Sequence, residues 1–219
     1  MSRSGLAWVV LVFGVTVLAD LPAAWLARAF GLPLHDVSGS LWHGQAHQWG
    51  AVGPLHWTVQ PWRLQAHARL GFQGQAWQLR AQGTAWRWHV EATAAGTQRT
   101  APAAFRLAGQ WQGAVQMHGS WRTCRSAQGR ITVADLAVSQ PWSLALGQGE
   151  FEMDCRNGWR LLGQLTQQGQ HQISLDADVP GRRAQVAVEL QPDAALTPLL
   201  RGAQWLGPQA TAGQREVRW

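Results

Sequence analysis

The chain has 219 residues, enough for one folded domain and a small appendage, since single cores hold about 100 to 200 residues. It contains 15 Trp, no Tyr and no Lys, so all 18 basic positions are Arg, and the net charge is +6. That excess favours encounters with anionic partners. Arg182-Arg183 is the only adjacent basic pair, however, which points to a solvated outer face and excludes a basic nucleic-acid-binding tract.

At the N-terminus, Arg3 precedes an uncharged run from Leu6 to Ala19. Those residues span only about 21 Å as a helix, short of a hydrocarbon core of about 30 Å. Extension to Leu26 reaches the required length but takes in Asp20. One Asp costs up to about 3 kcal/mol at a helix centre, and the Leu, Val and Phe residues at about −0.3 to −0.6 kcal/mol each offset it. An uncleaved anchor is one reading, and the apolar continuation through Leu21, Ala23, Ala24, Trp25 and Leu26 favours it. The other is a cleaved signal peptide, because Val17-Leu18-Ala19 fits a small-x-small site. Both export the rest of the chain. Pro22, Gly31 and Pro33 mark the end of the segment. The expected organisation is an anchor over 1–30, a connector over 31–40 and an exported β-domain over 41–219.

From Leu41 onward the dominant period is two. Leu64, Ala66, Ala68, Leu70 and Phe72 alternate with Gln65, His67, Arg69 and Gly71, and Trp77, Leu79 and Ala81 alternate with Gln78 and Arg80. The pattern continues through Trp86, Trp88 and Val90 and through Val115, Met117 and Trp121, then Ile131 and Val133. It resumes at Leu144 and Leu146, Phe151 and Met153, Ile173 and Leu175, and Val186 and Val188. Turn signals such as Gln73-Gly74, Asn157-Gly158, Gln168-Gly169 and Pro180-Gly181 separate these segments. The spacing predicts a mainly β fold of about ten to twelve strands in a long antiparallel, curved or folded-over meander with one apolar face. That face must be buried by closure, by folding over, or by an apolar ligand. One short helix is expected late, from an Asp193 N-cap to a Gly207 stop. The tail beyond Pro208 reads as irregular, with Val217 and Trp219 as candidates for a last edge strand.

Cys124 and Cys155 are the only cysteines, and in an oxidising compartment they are expected to form a structural disulfide. A redox pair would need C-x-x-C spacing, which is missing. His43 and His47 have the spacing of a helical zinc motif but lack its Glu, and on a strand they lie about 13 Å apart. His56, His67, His89, His118 and His171 are scattered at mostly outward parity. Glu150, Glu152 and Asp154 read as a solvated strand face, not as a Ca²⁺ or acid/base cluster. With no Walker A loop, no G-x-S-x-G elbow and no dinucleotide fingerprint, no catalytic, cofactor or metal site is expected.

Val37-Ser38-Gly39-Ser40-Leu41-Trp42-His43-Gly44-Gln45-Ala46, then Leu55-His56-Trp57 and Pro61-Trp62-Arg63-Leu64, resembles the protein N family of the type II secretion system. The motif residues are Gly39, Leu41, Trp42, Gly44, Trp57, Pro61 and Leu64. The paired cysteines and Leu199 to Gly207 are similar to the family's second half. The resemblance implies a non-enzymatic, single-pass inner-membrane protein with a periplasmic β-domain. Other platform proteins and the outer-membrane secretin are its implied partners, in support of the export of folded periplasmic proteins. Contact would run through an exposed edge or a patch near the membrane. Gly39 and Gly44 are expected at a bend or bulge, with Trp42 packed inward. The alternative is an AsmA-like envelope protein that holds or transports lipid along its apolar face.

Overall fold

The structure is a computed structural model and describes residues 8, 9, 12–14, 16, 17, 20–50, 52–98, 106–140, 143–156 and 158–218. Helix α1 (Ala23–Ala29) leads into four short strands, β1 (Leu34–His35), β2 (Ser38–Gly39), β3 (His43–Ala46) and β4 (Gln48–Trp49). Then come β5 (Leu55–Gln60), a 3-10 turn (Pro61–Arg63), β6 (Gln65–Phe72), β7 (Gln75–Thr84), β8 (Arg87–Thr97) and β9 (Arg106–Ser120). The second half holds β10 (Thr123–Gln140), β11 (Leu144–Asp154), β12 (Arg160–Gln167), β13 (His171–Asp178) and β14 (Arg183–Leu190). Helix α2 (Thr197–Gly202) and β15 (Ala212–Arg218) complete it.

Thirteen strands form one sheet from β15 at one edge to β2 at the other, each beside its neighbour in sequence except for β4, which pairs with β1 in a separate ribbon. Every pairing is antiparallel. The expected meander is therefore present, slightly longer than anticipated because β2 and β3 are too short to display a period.

Apolar parity is continuous across the sheet: Trp57 pairs with Ala68, Ala68 with Leu79, Leu79 with Ala92 and Ala92 with Val115. Further on, Phe151, Gly163, Leu175 and Val186 form a second such row. The sheet rolls over this face. Four inter-strand steps separate β8 from β12, about 19 Å in a flat sheet, yet the rings of Trp88 and Trp159 are 6.0 Å apart. Trp77 reaches Trp111 at 5.7 Å and Trp111 reaches Phe151 at 5.8 Å, each across an intervening strand. Ala and Gly between the aromatics make room for them.

A second apolar cluster lies at the β15 end, where Val188 and Leu190 of β14 pack with Ala194, Leu196 and Leu206 from the connection that carries α2. The helix is shorter than expected. Pro198 sits in its first turn, a place proline tolerates, so the N-cap is Leu196 and Asp193 stays in the preceding turn. The tail is a regular edge strand, paired with β14 from Arg183↔Arg218 to Glu189↔Ala212. It shows no alternation because nearly all of it is exposed on both faces. Trp219 lies outside the described residues.

Among the described residues no helix is long and apolar enough to cross a membrane. Within the anchor expected over 1–30, residues 8, 9, 12–14, 16, 17 and 20–30 are described; those from 8 to 17 are helical and exposed, and α1 near the end buries Ala23 and Ala27.

Candidate partner-binding surface

The motif residues converge on the first rim of the sheet. Gly39 pairs with Gly44, and Gly44 pairs with Trp57. The Trp57 indole N–H donates to the Leu41 carbonyl at 3.1 Å, and the Val59 N–H donates to the Trp42 carbonyl at 2.7 Å. Gly39 takes a left-handed φ of +89°, as a bend requires, whereas Gly44 is an ordinary strand residue kept bare by the indole above it. Trp42 is half-buried. Pro61 opens the 3-10 turn, and Leu64 closes it at a left-handed φ of +53°. Leu64 thus leaves the apolar row in which the alternation placed it and stands 50% exposed.

In a meander alternate turns share an end, so the turns after β5, β7, β9, β11 and β13 line this same rim together with Ser40 to Trp42. Cys124, next to the β9–β10 turn, is bridged to Cys155 at the end of β11, with Cα atoms 5.3 Å apart. The disulfide staples neighbouring turns of the rim.

The polar face carries the charges. Arg130 pairs with Glu150, and the Arg160 guanidinium grips the Asp176 carboxylate with Nε 2.8 Å from Oδ1. Asp154 accepts the Arg156 N–H at 2.9 Å, and that hydrogen bond first, then the guanidinium, holds its carboxyl below the usual range despite some opposing desolvation. Glu150, Glu152 and Asp176 line a groove of about 490 Å³ with Gln164, Gln185 and Gln214, a solvated trough crossed by ion pairs.

The histidines are less uniform than their parity suggested. His89 of β8 pairs with His118 of β9, and their Nδ1 atoms are 3.2 Å apart. No spacing rule reveals this, because residues 98–105 lie between the strands and leave the register unreadable. His171 is buried, 6% exposed, with Nε2 3.2 Å from the Leu146 carbonyl. Desolvation holds its pKa below the usual 6.5, opposed by that contact. Among the described residues, no group of three His, Cys, Asp or Glu side chains is placed to hold a metal ion.

The β15 edge and the first rim are both exposed. A family model described as type II secretion system (T2SS), protein N, matches residues 30–218. The chain belongs to that family. This makes it a component of the type II secretion system, with other secretion components as partners. No curated protein and no solved structure matches the chain. For a protein N family member the surfaces of interest are those that other components touch, and an open strand edge is the most readily used of them.

Proposed function

We propose that this protein N family member is a non-enzymatic accessory component of the inner-membrane platform of the type II secretion system. The N-terminal segment over 1–30 anchors it, 31–40 connects and adds the short edge strand β2 to the sheet, and the β-domain over 41–219 works in the periplasm. The observation that carries the reading of its contact surface is β15: seven consecutive residues paired on one side only, at the edge of a thirteen-stranded sheet. A partner segment adding a strand there would gain main-chain hydrogen bonds. Arg215, Glu216 and Arg218 on the same strand discourage pairing of two identical edges.

The lipid-holding alternative is not adopted, because Trp77, Trp88, Trp111, Phe151 and Trp159 already cover the concave face. Deletion of the gene, scored by export of a folded periplasmic substrate, tests the proposal. Export should fall and return with the intact gene, and undiminished export would contradict it.

A further inference from the structure

The two ends of the sheet differ in how far their large apolar side chains are exposed, with Trp49 at 48% and Phe72 at 38% at the far end. Tight turns at the far end read Gln73-Gly74 and Gln168-Gly169-Gln170. At the first rim, Trp62, Trp86 and Trp121 project from three successive turns and are 74%, 73% and 65% exposed. Trp86 and Trp121 stack on each other with rings 6.1 Å apart. Hydrogen bonds join these turns into one ledge, from Gly83 N–H to the Leu64 carbonyl at 2.9 Å and from Trp121 N–H to the Ala85 carbonyl at 2.6 Å.

Folding alone does not account for these residues. Leu64 and Trp121 hold left-handed φ values of +53° and +54°, which cost a bulky residue about 1–2 kcal/mol each. Burial offsets little of that cost at such exposure. Arg63, Arg87 and Arg122 flank the tryptophans, and none of the five ion pairs among the described residues includes them. The N-terminal segment joins at the same rim. Leu41 N–H donates to the Leu21 carbonyl at 3.0 Å, and Pro22 bridges to Ser40.

We infer that the first rim lies against the bilayer the N-terminal segment enters, with its indoles at the headgroup boundary and its arginines on anionic phospholipid. Indole rings, apolar in body and polar at one edge, concentrate at that depth, and each Arg near an anionic surface adds attraction. The rim would fix the tilt of the sheet and hold the β15 edge upright in the periplasm. This inference rests on the anchor reading for the position of the bilayer.

The native cysteines are bridged, so an added thiol is the one labelling site. The full chain carrying Ala85→Cys or Gln168→Cys is labelled with a nitroxide and reconstituted into phosphatidylethanolamine and phosphatidylglycerol liposomes. At position 85, oxygen should relax the label more strongly than a water-soluble nickel chelate. Position 168 should show the reverse, and replacing Trp62, Trp86 and Trp121 with Ser should raise chelate access at 85 severalfold. Firm retention in carbonate-washed liposomes with equal chelate access at 85 and 168 would overturn this inference alone. Extraction of the chain by carbonate would overturn the anchor reading and the bilayer placement with it.

Discussion

Trp57 lies flat over Gly44, its direct partner across the β3–β5 pair, so closely that a methyl group on Gly44 would sit within the indole, 2.7 Å from Cε2. Phe151 over Gly163 and Trp88 over Gly119 repeat the arrangement further along the sheet. The aromatic covers a bare stretch of backbone, and the glycine gives the ring its seat. Gly44→Ala should therefore destabilise the fold by about 1–3 kcal/mol by overpacking. In a Trp57→Ala background the same change should cost at least about 1 kcal/mol less. Additive urea midpoints would show that the two residues do not interact.

The Cys124–Cys155 bridge closes a loop with a sequence separation of 31. Replacing both residues with Ser should lower stability by about 3–4 kcal/mol in the chain-entropy model. Equilibrium unfolding of the variant and of the oxidised protein measures this, and equal midpoints would show the bridge to be idle.

His171 binds a proton less readily in the folded state than in the unfolded chain, because burial holds its pKa below 6.5. Stability should be level above about pH 6.5, fall as pH drops through that value, and level off again only below the folded-state pKa. His171→Gln should flatten this part of the profile. Parallel pH profiles for variant and wild type would place the acid sensitivity elsewhere.

Leu206 anchors the connection between β14 and β15 in the cluster with Val188, Leu190 and Leu196. Leu206→Ala should cost about 2–4 kcal/mol and speed amide hydrogen exchange in β15 more than in β6. Uniform exchange rates would mean that the edge does not depend on this cluster.

Leu64 holds a left-handed backbone with half its surface exposed, so Leu64→Gly should stabilise the fold by about 1 kcal/mol. Thermal unfolding checks the sign. A loss of stability would show that Leu64 packs more than its exposure indicates.

Alternation made the sheet legible, since one solvated face forces period two along each strand. It failed where the backbone departs from simple pleating. At Asp135, φ is +52° and the register of β10 slips against both neighbours, so Val133 and Leu136 are both buried although three positions apart. β15 was obscure because an edge strand exposed on both faces needs no apolar pattern. The gathering of Trp62, Trp86 and Trp121 at one rim follows from the meander, but only once every strand is counted. The His89–His118 contact depends on register alone and left no trace in spacing.

The most direct test of the proposed platform role is site-specific photo-crosslinking in cells, with the crosslinker at Gln214 on the β15 edge and, as control, at Gln112 on the exposed face of β9. Position 214 should capture another membrane component of the secretion system, in a product that disappears when the system is deleted, and position 112 should not. No secretion component captured from 214, or equal capture from both positions, would contradict docking through the edge.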